Sequence, residues 1–220
     1  MNKKLTFNYY SIIKMKLFNL LILLTIAQLS SAQIKLTKLD KKSIPKSINY
    51  IGKIINAVRY IDNEGEHIIV TTETGVTSTK GIEGDTFRDA ALYAYSYKTV
   101  NDKHILSWRV HDFVKECPVD LNADYIPNTF AVTDLNKDGK AEVWLMYKIV
   151  CHGDVSPSNM KIIMYEGNKK YAVRGTNKVK VSDKEYDGGE YTFDDAFKNG
   201  PHSFRSYALQ LWKKNLLETW

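Results

Sequence analysis

Residues 129–150 read Thr129-Phe130-Ala131-Val132-Thr133, then Asp134-Leu135-Asn136-Lys137-Asp138-Gly139-Lys140-Ala141, then Glu142-Val143-Trp144-Leu145-Met146-Tyr147-Lys148-Ile149-Val150. A β-branched run, a turn crowded with Asp, Asn and Gly, and a second apolar run spell a β-hairpin. The second arm is apolar almost throughout, which predicts a strand covered on both faces. The same grammar recurs on either side. Ile54–Asp62 passes through Asn63-Glu64-Gly65 into His67–Glu73, and Leu92–Lys98 through Asn101-Asp102 into His104–Asp112. Met160–Tyr165 passes through Glu166-Gly167-Asn168 into Tyr171–Arg174. Residues 76–90, 113–127 and 183–195 read as loops. After Asn199-Gly200-Pro201, the residues Phe204, Tyr207, Ala208, Leu211, Trp212 and Leu216 fall at helical spacing, with Ser203 placed to cap. The expected fold is mainly β: antiparallel hairpins forming a sandwich or a partial propeller, with a C-terminal helix over about 203–218 docked on a sheet.

The hairpins repeat weakly. Ala57-Val58 followed by Gly65 matches Ala131-Val132 followed by Gly139, and Leu92–Tyr95 matches Ile162–Tyr165. Two units result, about 54–112 and 128–175, each with the four-strand content of one propeller blade. Together they use most of the chain beyond residue 32, so a closed propeller of four or more blades does not fit. Residues 51–220 therefore read as one β-rich domain, preceded by a Lys-rich surface segment over 33–50.

The N-terminus sets the compartment. Lys14 and Lys16 precede the uncharged apolar stretch Leu17–Leu29, and Ser30 and Ala32 put small residues ahead of Gln33. This is the layout of a secretory signal peptide over residues 1–32, with Met15 the natural start. The apolar stretch falls short of the roughly 20 residues that span a bilayer, so no membrane span is expected after cleavage. The expected location is exported, in the periplasm or at the cell surface. The formal charge of +6 shrinks once the leader is set aside. Of 31 Lys and Arg, Lys3, Lys4, Lys14 and Lys16 lie in 1–32, leaving 31 − 4 = 27 against 25 acids. A net of 27 − 25 = +2 with no basic run argues against nucleic acid as a partner. Cys117 and Cys151 are the two cysteines, and an even count in an oxidising compartment points to a disulfide, with two buried thiols as the alternative. A nucleophilic Cys151 served by His152 is weaker, because sequence neighbours on a strand face opposite sides.

The turn of the quoted hairpin carries chemistry. Asp134 to Glu142 reads D-x-N-x-D-G-x-x-E. Ca²⁺ is a hard cation that takes six to eight oxygens, and alternate side chains of a tight loop can converge on it. Asp134, Asn136, Asp138 and Glu142 would supply side-chain oxygens, Lys140 a backbone carbonyl, and Gly139 the bend. The twelfth position is Leu145 and both flanks are strand-like, so the loop is not an EF-hand. A bare Asx-rich turn is the alternative. In the first unit Tyr60 replaces the leading Asp, and Asp120-Leu121-Asn122-Ala123-Asp124 is followed by Tyr125 where Gly is needed. Neither is expected to bind a cation, and the latter reads as a solvated loop. The loop 134–142 resembles the β-hairpin calcium loops of FG-GAP and VCBS repeats.

Catalytic signatures are thin. His104, His111 and Asp112 share one expected strand, and His152 and Asp154 follow another, but no nucleophile elbow, phosphate loop or zinc spacing is present. Tyr93, Tyr95 and Tyr97 alternate onto one face, and with Trp108 could line a sugar-binding surface.

From Asp112 to Val179 the chain is similar to one family. The carrying stretches are Asp112-Phe113-Val114-Lys115-Glu116-Cys117-Pro118, Asn128 through Gly139, Val143 through Lys148, Gly153-Asp154-Val155-Ser156-Pro157-Ser158 and Lys161 through Gly167. They resemble small exported bacterial surface polysaccharide biosynthesis proteins. That resemblance implies a role with lipopolysaccharide or other surface glycans, and surface glycan or envelope biosynthesis proteins as partners. It carries over no catalytic residue. Glycosyl transfer from cytoplasmic nucleotide sugars does not suit an exported chain. Two functions follow: a non-catalytic, calcium-stabilised envelope protein, or a hydrolase or lyase acting on glycan. The leader itself makes a prediction: the envelope-fraction protein should begin at Gln33, which intact-mass or N-terminal analysis checks, and a chain retaining residues 15–32 would contradict it.

Overall fold

The computed structural model describes residues 34–218; the expected leader and its expected cleavage point lie outside the described residues. The strands are β1 (Lys35–Lys38), β2 (Lys53–Asp62), β3 (Gly65–Glu73), β4 (Thr77–Lys80), β5 (Thr86–Val100), β6 (Lys103–Cys117) and β7 (Leu121–Tyr125). They continue with β8 (Ala131–Thr133), β9 (Glu142–Cys151), β10 (Asn159–Glu166), β11 (Lys169–Thr176), β12 (Lys178–Lys180), β13 (Tyr186–Gly188) and β14 (Tyr191–Phe193). Two helices follow, α1 (Asp195–Asn199) and α2 (His202–Lys214).

All strand pairings are antiparallel, and each sequence repeat builds one sheet. In the first sheet β2, β3, β5 and β6 form a meander with β1 on its outer edge. β5 holds β3 along Leu92–Lys98 and β4 along Thr86–Asp89 on the same edge. In the second sheet β14, β11, β10 and β9 lie side by side, and β7 and β8 share the far edge of β9. The arrangement is the sandwich. Val58, Ile69, Leu92 and Val110 from one sheet meet Val143, Leu145, Ile163 and Ala172 from the other in a shared core.

Two outer layers complete it. The outward side chains of the second sheet, Trp144, Met146, Ile162 and Tyr171 among them, are covered by Phe197, Phe204, Ala208 and Trp212 of the helices. The expected helical stripe thus docks on a sheet. Its start differs from expectation: Pro201, not Ser203, is the N-cap and makes no side-chain bond. Asp194 caps the preceding α1 instead, accepting from the Phe197 amide at 2.9 Å. The Arg205 guanidinium then donates to the carbonyls of Phe197, Lys198 and Gly200, satisfying the end of α1. On the other side, the segment expected merely to lie on the surface is a cover: Ile44 and Ile48 are buried against Ile68, Val70, Tyr95 and Tyr97 of the first sheet.

The stretches read as loops at 76–90 and 113–127 are largely strand (β4, the start of β5, the end of β6, and β7). β4 is polar and exposed throughout, so its ladder defines it, whereas β7 alternates, with Leu121, Ala123 and Tyr125 buried and Asn122 and Asp124 exposed. The 183–195 loop likewise contains β13 and β14.

Cys117 at the end of β6 and Cys151 at the end of β9 form a disulfide with Cα atoms 5.8 Å apart. It ties the two sheets together. Closing a loop of 34 residues should stabilise the fold by about 3–4 kcal/mol through loss of unfolded-state entropy. Urea unfolding of Cys117→Ala/Cys151→Ala should show a loss of that order, and thiol labelling of denatured, unreduced wild type should find no free thiol.

Candidate functional site

The turn between β8 and β9 is held by its own side chains. Asp134 Oδ2 accepts from the Gly139 amide at 3.1 Å, Asn136 Oδ1 from the Asp138 amide at 3.2 Å, and Asp138 Oδ1 from the Lys140 amide at 2.8 Å. These are the local bonds that make Asp and Asn turn residues. Glu142, fully buried, reaches back: both of its carboxylate oxygens accept from the Leu135 amide at 2.9 Å, and Oε2 also accepts from Thr133 Oγ1 at 2.6 Å. Thr133 Oγ1 in turn accepts from Trp144 Nε1 at 2.8 Å. Burial pushes the Glu142 carboxyl above the usual range; its hydrogen bonds oppose that, and the charge of Asp134 adds to it.

The oxygen chemistry suits a hard cation. An ionised carboxylate has about four lone-pair sites, and the bonds above use only some of them. Asp134 Oδ1 is buried with no hydrogen-bond partner, an acceptor that a cation would satisfy. The arrangement is nonetheless that of a hydrogen-bonded turn. Among the described residues no three His, Cys, Asp or Glu side chains stand grouped to hold a metal. Lys140 turns its amino group away to Glu64 Oε1 at 2.8 Å.

What sequence reasoning missed is the partner of this turn. The Asn63 amide donates to the Gly139 carbonyl at 2.9 Å, and Asn63 Nδ2 to the Asp138 carbonyl at 3.2 Å. Asp62 Oδ2 accepts from the Ala141 amide at 3.0 Å, while Oδ1 accepts from the Glu64 amide at 2.8 Å. Asn136 Nδ2 donates to Glu166 Oε1 at 2.8 Å. The equivalent turns of the two repeats are thus bonded to each other at one end of the sandwich. Gly139 suits the turn in two ways: its φ is 82°, and a Cβ there would displace the Asn63 side-chain amide from its bond to the Asp138 carbonyl. Behind Asp62, buried His67 stacks on Tyr60 with ring centroids 4.8 Å apart and places Nε2 3.4 Å from Asp62 Oδ1. Nε2 makes no hydrogen bond. Desolvation holds the His67 imidazole below its ordinary pKa, outweighing the pull of Asp62.

The other candidate groups are dispersed. His104 bonds Ser47 at 2.8 Å; His111 stacks between Tyr93 and Phe113; Asp112 accepts from Tyr147 at 3.0 Å and Lys161 at 2.6 Å. Tyr93, Tyr95 and Tyr97 do share the outer face of the first sheet, but Tyr95 and Tyr97 are buried under the N-terminal cover. Trp108 is on the opposite face, in the inter-sheet core against Tyr165 at 4.2 Å, so it does not join them. Asp120–Asp124 is not a solvated loop: Leu121–Tyr125 is strand β7, and its Asn122 and Asp124 line a cleft of about 460 Å³ with Lys148, His152, Asp154 and Glu218.

No protein-family model, curated protein or solved structure matches the chain.

His67 makes the docked turns pH-sensitive. Its folded pKa lies below the free value of about 6.5, so its contribution to stability is complete above that value and is lost as pH falls below it. Between pH 7 and 5 wild type should therefore lose stability faster than His67→Gln in parallel urea titrations. The carboxyls with raised pKa act in the opposite sense but are common to both proteins. Equal slopes would mean that the imidazole titrates alike in both states.

Proposed function

We propose that this is an exported, calcium-stabilised protein of the cell envelope that binds surface glycan or assists its assembly without catalysing a reaction. The observation that carries the calcium part is the buried, unpartnered Asp134 Oδ1 in a turn whose other side chains are oxygen donors. Asp134, Asn136, Asp138 and Glu142, with the Lys140 carbonyl, would hold the ion. Because Asn63 and Asp62 bond this turn from the other sheet, an ion here would stiffen the junction between sheets. Export is supported by the leader and by a disulfide suited to an oxidising compartment. The glycan role rests on the resemblance over Asp112–Val179. Absence of turnover is argued from the scatter of His104, His111 and Asp112 into separate structural contacts. A glycan-acting hydrolase or lyase is the second reading, favoured by the shared cleft of Asp124 and His152.

Calcium bound only to the folded state stabilises by about 2.7 kcal/mol at one hundred times Kd, with Kd of about 0.1–1 mM expected for an extracellular module. For a chain of this size that is a rise in Tm of about 5–10 °C. Saturating Ca²⁺ should produce it in chelator-treated protein, and Mg²⁺ much less. Asp134→Ala and Asp138→Ala should remove most of the rise, and Asp120→Ala should leave it. A melting curve indifferent to Ca²⁺ would make the loop a bare turn. Glycan-array binding without product formation separates the two functional readings, and product formation would favour the enzyme.

A further inference from the structure

β6 is the last strand of the first sheet and, among the described residues, pairs on one side only, with β5. Between register shifts at Ser107 and at 115–116 it runs regularly from Trp108 to Val114. The neighbouring strand fixes which of its backbone groups face outward. The Ala91 amide donates to Thr74 Oγ1 at 2.9 Å, and the Ala91 carbonyl accepts from the Thr74 amide at 2.9 Å, so Ala91 turns its polar groups away from β6. Its register partner Phe113 therefore sits in a non-hydrogen-bonded pair and points its own groups to the far side. By alternation His111 and Arg109 do the same. Asp112 Oδ1 accepts from the Phe113 amide at 3.1 Å. The amides of Arg109 and His111 and the carbonyls of Arg109, His111 and Phe113 have no protein partner among the described residues. They form an open edge of the kind that accepts a further strand.

The second sheet projects past this edge. β6 lies over β10, since Trp108 stacks on Tyr165 at 4.2 Å and Asp112 accepts from Lys161 at 2.6 Å. β11 is the next strand out, with β14 beyond it. On the inner face of β11, Ala172 is closed into the core, and by alternation the exposed Lys170 and Arg174 flank it on the same face. Arg174 stands directly across from Lys161. The nearby carboxylates are engaged elsewhere: Asp112 by Lys161 and Tyr147, and Asp194 by the Phe197 amide that it caps. Lys170 and Arg174 have no ion pair and no side-chain hydrogen bond among the described residues. Partial desolvation, and then the charge of Arg174, hold the Lys170 amine below its ordinary pKa. The strip beside β6 thus has backbone donors and acceptors along one wall and a cationic floor. A second copy does not fit it. Pairing β6 with β6 would keep both second sheets on one side, and the two projecting β11–β14 ledges would collide. A single extended strand has no such ledge.

We infer that the β6 edge from Arg109 to Phe113 takes an extended acidic peptide of a protein partner as an added strand, its main chain on the open backbone groups and its inward carboxylates over Lys170 and Arg174. Those two residues are four apart on β11, about 13 Å, so the matching acids are also four apart in the peptide. This partner is independent of the calcium and glycan readings. The test is titration of the full protein with an end-blocked octapeptide alternating Glu and Val, followed by calorimetry and amide hydrogen exchange. The peptide should bind saturably and slow exchange at the Arg109 and His111 amides. A Lys–Val peptide, and the Glu–Val peptide with its amides N-methylated, should bind about tenfold more weakly or not at all. Lys170→Gln/Arg174→Gln, with Tm unchanged, should weaken the Glu–Val peptide by about tenfold or more, the loss of charge-assisted hydrogen bonds. His111→Pro removes an edge donor that the β5 ladder does not use and should weaken binding likewise; if that variant does not fold, the N-methylated peptide makes the same test. No saturable binding, equal affinity for the Lys–Val or N-methylated peptide, or unchanged exchange at Arg109 and His111 would overturn the inference. Binding of polygalacturonate through Lys170 and Arg174 without binding of the Glu–Val peptide would also overturn it, making the ledge a site for acidic glycan instead.

Discussion

From Glu142 to Tyr147 β9 has no exposed face, and this constraint organises the rest. Val143, Leu145, Tyr147 and Ile149 point into the inter-sheet core, while Trp144 and Met146 point under the helices. A strand buried on both faces cannot leave its amides to solvent, so both edges must be paired. β10 takes one edge along Glu142–Ile149, and β7 and β8 divide the other. The four layers follow from that strand. The first sheet exists to cover one face, and α1 and α2 cover the other. The aromatic cluster of Trp144 with Phe197, Phe204 and Tyr207 fixes where the helices sit.

The first sheet meets the same difficulty with less apolar material. Its outer face is tyrosine-rich, and tyrosine needs both cover and a hydrogen bond. The N-terminal segment supplies both: Tyr97 donates to the Asn49 carbonyl at 2.6 Å, and Tyr95 accepts from the Ile51 amide at 3.2 Å. Where the cover ends, Tyr93, His111 and Phe113 stack on one another. Lys115 lies over the outer ring at 5.5 Å, so the ring faces are used internally. This is why the tyrosine row is structure rather than a ready sugar platform.

The two polar regions of interest differ in how completely they are satisfied. At the docked turns, backbone amides and side-chain oxygens from 62–64 and 134–142 close on one another, leaving Asp134 Oδ1 and His67 Nε2 as buried exceptions. At the Cys151 end of β9, Lys148 pairs with Glu218 rather than with its register neighbour Asp124, which is exposed to water. Buried polar groups without a partner cost free energy, whereas an exposed carboxylate keeps its water.

Much of this was legible in the sequence. Alternation between Gly- and Asn-bearing turns located the hairpins, the apolar run at 143–150, interrupted only by Lys148, announced a doubly covered strand, and the Phe204-to-Leu216 spacing announced the docked helix. The weak repeat even marked the two sheets. These are local signals, because turn chemistry and side-chain period are properties of a few consecutive residues. Other features were set only in three dimensions. β4 is a strand through its ladder, not its polarity, since all four of its side chains are exposed. Trp108 faces inward because its register partner is Ser96, after a bulge that shifts the alternation on β6. The contact of Asn63 with the turn at Asp138 spans 75 residues and requires the two sheets already face to face. Whether Lys148 chooses Asp124 or Glu218 depends on where the chain end returns beside β12. Sequence decides which elements form; which charges are left unpaired is decided by which distant elements arrive beside them.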